Sequence, residues 1–255
     1  DPQKELYFDS YKNRKGVEVV VFSKKDAALY TDVFDNLPHR GGVVYARNAV
    51  FRIAAQRGIV YFVVLDDDYT NFSYRFSSDL RFLPADSDAS RVKSLDVLFK
   101  KMLDFYKSAP HLSVLSIAQT GDFVGGGEAQ TVTRWALKRK AMNFFLCSTE
   151  RPVSFSGRLN EDTTLYTAEQ NRGVLCLTLP LLVLKQKTTQ KQAGGLTELY
   201  LEHGTYTKSF YTILPQPSSV SVSLLKQKHA RMHHKISWTY TVPQLVSPVF
   251  RKLQK

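Results

Sequence analysis

Three consecutive carboxylates, Asp66, Asp67 and Asp68, close an apolar run, Val63-Val64-Leu65, and no other feature narrows the possible folds of this chain so far. Acidic side chains crowded at the end of a buried strand repel one another and resist desolvation, and a bound divalent cation is the usual relief. The fold must then bring that strand end to an opening where a cation and its anion can meet. In open α/β sheets the carboxyl ends of the strands provide such a crevice.

The neighbouring sequence supports a sheet of this kind. Residues 17–23 (VEVVVFS) are β-branched and bounded by charge, so they read as a first strand. Residues 43–57 repeat apolar side chains at helical spacing through Val43, Ala46, Val50, Ile53 and Ala54, with Gly58 suited to the position just past a helix. Residues 59–65 form the next strand, which completes a β-α-β unit with the three Asp at its carboxyl end. Further helices are expected over 91–106, 161–171 and 197–210, and strands over 112–117, 143–147 and 174–184. The glycine-rich run 120–128 reads as a loop. With no internal repeat, the pattern predicts one α/β domain of 255 residues with a mixed, mostly parallel central sheet flanked by helices.

Charge points to a partner. The net charge is +12, and residues 185–255 hold eleven Lys and Arg against two acids, Glu198 and Glu202. A blocky basic excess favours phosphate-rich partners, because each neutralised phosphate releases counterions, and nucleic acid is the expected one. No apolar run reaches the ~18 residues of a membrane span, so a soluble protein is expected. Cys147 and Cys176 lie in apolar runs without zinc-site spacing and read as reduced core residues of a cytosolic protein.

Several groups are candidates for chemistry. If strand geometry persists, Asp66 and Asp68 face one side and suit Mg²⁺ or Mn²⁺, while Asp67 turns away. Arg47 presents a planar fork to phosphate or a base carbonyl, and Asn48 presents paired donor and acceptor to a nucleobase edge. Near a helix start, Asp162 is the preferred base for an attacking hydroxyl, with Glu161 holding that base or the acceptor. Acids are also common there for dipole reasons alone. His233 and His234 sit in a basic run and can complete a Mn²⁺ site, although which one faces inward is open. Gly194 and Gly195 allow a backbone to approach a sugar or phosphate closely, or simply make a turn. Phosphate-loop, nucleophile-elbow and C-x-x-C patterns are absent from the sequence.

Ala46-Arg47-Asn48, Asp66-Asp67-Asp68 and Asn160-Glu161-Asp162, in that order, resemble the nucleotide-sugar glycosyltransferases of GT-A fold. The later Gln192-Ala193-Gly194-Gly195 with Tyr200, the run from Gly204 to Ser209, and Arg231-Met232-His233-His234 are similar to the TET/JBP-associated glycosyltransferases. That resemblance implies a GT-A-like domain with a nucleotide-sugar half at about 15–120 and an acceptor half at about 121–255. It implies a UDP-sugar donor with Asp67 turned toward its ribose or sugar hydroxyls, a Mn²⁺ or Mg²⁺ cofactor held by Asp66 and Asp68 with a late histidine, and Asp162 as base of an inverting transfer. The implied acceptor is a hydroxymethylated pyrimidine in DNA, in the cytoplasm, that of a phage-infected bacterium for a viral protein, with Lys138, Arg139, Lys140, Arg231 and Lys235 on the DNA backbone. A transferase of the same fold acting on protein or glycan, a noncatalytic nucleic-acid-binding protein, and a nucleotidyltransferase or nuclease remain alternatives.

Overall fold

A computed structural model describes residues 2–38, 41–66, 69–79, 81–84, 87–119, 139–142, 144–186, 196–204, 206–225 and 230–241. After helix α1 (Pro2–Tyr11), a short helix α2 (Lys24–Ala27) runs into a 3-10 turn. Helix α3 (Val44–Gln56) and strand β1 (Tyr61–Leu65) follow, then β2 (Tyr69–Tyr74), α4 (Leu95–Ser108), β3 (Leu112–Gln119) and β4 (Phe144–Ser148). The second half holds α5 (Glu161–Asn171), β5 (Leu175–Gln186), α6 (Thr197–His203), α7 (Thr207–Ile213), a hairpin of β6 (Val220–Leu225) and β7 (Arg231–Ile236), and α8 (Trp238–Thr241).

The central sheet runs β1-β4-β3-β5-β2, and β6-β7 forms a separate pair. The architecture is the expected mixed α/β sheet flanked by helices. Its balance differs from the expectation: β3 and β5 pair in parallel, while β1-β4, β3-β4 and β2-β5 are antiparallel. Strand β4 shows why the core has two layers. Phe145 and Cys147 face the layer containing Val44, Tyr45, Phe51 and Leu165, whereas Phe144 and Leu146 face the layer of Leu98, Met102 and Tyr106. Period-two alternation sends successive side chains to opposite faces, so a fully apolar strand must be covered on both. Both cysteines are free and buried, and burial pushes their thiols far up from the usual range.

Helix ends follow sequence cues. Gly58 has φ +67°, and the N–H groups of Gly58 and Ile59 bond to the carbonyls of Ala55 and Ala54, a Schellman closure of α3. Gly173 at φ +91° closes α5 in the same way, through Gly173 to Gln170 and Val174 to Glu169. Ser94 caps α4 by accepting from the Val97 N–H.

Two expectations are corrected, and one element had no counterpart in the sequence reading. Residues 17–23 form neither helix nor strand, and Val17, Val20 and Val21 are exposed, while Glu18 ion-pairs with Arg57 at 2.6 Å. β-Branched composition measures fit to a pleated, half-buried surface, and without a paired neighbour it does not make a strand. The helix expected over 197–210 is two helices, α6 and α7, parted at Gly204 with φ +79° and ψ 152°. The β6-β7 hairpin was not among the predicted elements. The loop at 120–128 lies outside the described residues.

Candidate active site

Two segments converge on the carboxyl end of β1. Helix α3 contributes Arg47 and Asn48 from its first turn, and the chain after β4 crosses that turn before entering α5. Asn48 fastens the crossing: its Nδ2 donates to the Phe155 carbonyl at 2.8 Å and to Thr31 Oγ1 at 3.1 Å, and its Oδ1 accepts from the Phe155 N–H at 2.9 Å. The amide that the sequence offered to a nucleobase is thus engaged inside the protein, with both donors used and one lone pair left. Two further main-chain bonds continue the seam, Gly157 N–H to Asp32 at 2.8 Å and Arg158 N–H to Val33 at 3.1 Å. At Gly157, φ is +85° and a Cβ would meet the Phe34 ring at 3.1 Å, so this close approach requires glycine.

Arg158, 1% exposed, locks the same region. Its Nε and one terminal nitrogen bond Asp35 at 2.8 Å each, a bidentate pair, and Tyr211 also donates to Asp35 at 2.6 Å. These bonds hold the Asp35 carboxyl below the usual range, although burial opposes them. The sequence contained Arg158 beside the acidic pair, but nothing marked Asp35 or Tyr211 as its partners.

The chain then turns through Asn160, in left-handed geometry at φ 54°, and starts α5 with Glu161 facing Arg47. Arg47, 2% exposed, donates to Glu161 Oε1 at 2.6 Å and to both oxygens of Asp66 at 3.0 and 3.2 Å. The guanidinium also lies over the rings of Phe145 and Phe155 at 5.1 and 5.5 Å. Arg47 therefore joins the end of β1 to the first turn of α5. Its role as a bridge between carboxylates had no sequence signal, because 19 residues separate it from Asp66 and 114 from Glu161.

Electrostatics at this junction are unbalanced. Glu161, Asp66 and Asp162 all act on Arg47, whose proton is held more tightly than usual as a result. Burial is the largest influence on Glu161 and, helped by Asp162 and Asp66, outweighs Arg47, so its carboxyl is pushed up to about 7. Asp162 Oδ1 accepts from the Thr163 N–H at 2.6 Å, and no bond to Oδ2 occurs among the described residues. Beside Arg47 and Asp66 opens a cleft of about 380 Å³ whose other walls include Phe22, Val43, Val50 and Val64. An apolar cleft with a few convergent polar groups is the usual form of a small-ligand site.

The late histidines have separate settings. His234 is the inward one: it is buried, and its Nδ1 lies 3.3 Å from Asn160 Nδ2. Burial, His233 and the charges of Lys140 and Lys208 push its imidazole down to about 3. The His233 ring lies tilted against it at 4.2 Å between ring centroids and directs Nδ1 at the His234 carbonyl at 2.7 Å, which leaves its Nε2 lone pair for a cation or donor. Among the described residues, no group of three or more His, Cys, Asp or Glu is gathered to hold a metal. Asp66 fits a hard cation in donor type. Its oxygens share one guanidinium nitrogen, and the side chain is 24% exposed, so lone pairs remain toward the opening.

Of the remaining candidates, Lys140, Arg231 and Lys235 are exposed and Arg139 is half-buried. Asp67, Asp68, Lys138, Gly194 and Gly195 lie outside the described residues. No helix among the described residues is long and apolar enough to cross a membrane.

A mixed α/β sheet that delivers one carboxylate at a strand end beside a ligand-sized cleft, and two more at a helix start, is compatible with a GT-A-like domain. A family model described as TET-Associated Glycosyltransferase matches residues 3–195. The chain belongs to that family and is a glycosyltransferase. Neither the curated proteins nor the solved structures returned a match.

Proposed function

We propose that this glycosyltransferase moves a sugar from a UDP-sugar to the hydroxymethyl group of 5-hydroxymethylcytosine or 5-hydroxymethyluracil in DNA, with inversion at the anomeric carbon. The observation that carries the reading is Asp162, whose Oδ2 has no bond among the described residues while the adjoining Glu161 is fixed by Arg47. A carboxylate placed in this way can take the proton of an attacking hydroxyl. As the acceptor oxygen bonds to the anomeric carbon, the bond from that carbon to the diphosphate breaks, and the proton passes to Asp162.

Asp66 and Asp68 would hold Mn²⁺ or Mg²⁺, which offsets charge on the leaving diphosphate. The cleft beside Arg47 and Asp66 supports a donor site at the end of β1. DNA as acceptor is supported by the TET association in the family's description and by the late basic excess.

The test is mass spectrometry of hydroxymethylated and unmodified DNA after incubation with a panel of UDP-sugars and Mn²⁺. The expected result is one added sugar per hydroxymethyl base with a matching donor, and none on unmodified DNA. Asp162→Asn should lower the rate by about 10²–10⁴-fold, the usual worth of a general base. Modification of a protein or glycan with DNA left untouched would overturn the acceptor assignment.

A further inference from the structure

Asn160 gathers three elements at the start of α5. Its Nδ2 lies 3.0 Å from the Lys208 carbonyl and 3.1 Å from Thr212 Oγ1, both in α7, and 3.3 Å from His234 Nδ1 in β7. Lys208 is thereby brought toward Asp162, with Arg231 on β7 and Lys140 in the segment before β4 close enough to act on it. Lys208 interacts electrostatically with Arg231, Asp162 and Lys140, and the same three cations act on His233.

Among the described residues Lys208, Lys140 and Arg231 make no salt bridge, and Asp162 is the single carboxylate that acts on Lys208. Like charges from α7, β7 and the segment before β4 that act on one another repel, and Lys208 is half-buried, so water does not fully compensate them. A bound anion removes both costs. None of the three lines the cleft beside Asp66, so that anion is distinct from a donor seated there.

We propose that Lys208, Lys140 and Arg231 form the seat of the acceptor's phosphodiester, the one adjoining the base to be modified. The seat rests on the proposed DNA acceptor. A phosphate there is anchored on the same elements that flank Asp162, so its own nucleotide presents the hydroxymethyl oxygen to that carboxylate. Arg231, His233 and Lys235 alternate along one face of β7, at about 6.6–6.8 Å per two residues, and offer a path for the strand beyond the seat. Phosphate contacts of this kind fix register without reading sequence.

The test compares kcat/KM for a 5-hydroxymethylpyrimidine deoxynucleoside with that for its 3′,5′-bisphosphate, using one UDP-sugar. The wild-type enzyme should prefer the bisphosphate by at least ten-fold. Lys208→Met should reduce that preference by roughly ten- to a hundred-fold, the range for a lost charge-assisted hydrogen bond, and Lys208→Arg should keep most of it. Arg231→Met reads the same ratio if Lys208→Met does not fold. A ratio near one in the wild type, or one indifferent to both substitutions, overturns the seat alone. An enzyme that modifies neither acceptor, nor hydroxymethylated DNA, overturns the DNA reading and the seat together.

Discussion

Replacing Arg47 with methionine removes the link between β1 and α5 while keeping much of the side-chain volume. The Glu161 pair is the larger loss, because the side chains are 3% and 8% exposed. Breaking a buried pair from one side costs about 3–5 kcal/mol, since the other charge is left without a partner. Asp66, 24% exposed, keeps access to water and adds less than about 1 kcal/mol. The contacts over Phe145 and Phe155 are partly restored by the thioether. The sum is about 4 kcal/mol, or a melting temperature lowered by roughly 8–16 °C for a domain of this size. Glu161 can escape by taking up a proton, so the loss should grow with pH above 7. Urea denaturation at pH 6 and pH 8 measures both effects. Adding Glu161→Gln to Arg47→Met should recover about 2 kcal/mol at pH 8, because it removes the stranded charge. A single variant costing less than about 1 kcal/mol, or a double variant no more stable than the single, would refute the bridge.

The raised Glu161 carboxyl makes stability depend on pH in a defined direction. The folded state binds the proton more tightly than the unfolded state, so the stabilisation is complete below about 4.5 and is lost as pH rises through about 7. The swing is at most roughly 3 kcal/mol, and Glu161→Gln should flatten the curve between pH 5 and 8; an unchanged slope would refute the assignment. Asn48→Ala leaves the buried Phe155 N–H and carbonyl without partners and should cost roughly 2–4 kcal/mol in chemical denaturation; a cost under about 0.5 would contradict the clamp. Transfer should stop in EDTA and return with Mn²⁺ or Mg²⁺, and full activity in chelator would remove the cation from the mechanism.

Much of the fold could be read locally. Apolar periodicity located α3, α4 and β1, and Gly58 and Gly173 marked two helix ends through their positive φ. Composition misled at residues 17–23, where pairing depends on a distant edge, and at α6-α7, where Gly204 breaks an otherwise continuous pattern. Helix α5 was located, but its burial was not foreseen, because Thr163, Thr164, Thr167 and Gln170 look like surface residues in sequence. Inside the protein the Thr167 hydroxyl bonds back to the Thr163 carbonyl at 2.9 Å, so a polar helix can cross the core with that donor satisfied.

By itself the sequence determined that acids, basic residues and strand ends come in an order that resembles the glycosyltransferases, because residue type and local period are properties of short stretches. Tertiary structure alone decided which of those residues meet. Asn48 turned inward to hold Phe155, Arg47 became the bridge between Asp66 and Glu161, and Lys208 came to stand with Lys140, Arg231 and Asp162. Those contacts span from 19 to more than a hundred residues of chain. Burial and opposing charge can set a group's chemistry only after folding has brought the charges together.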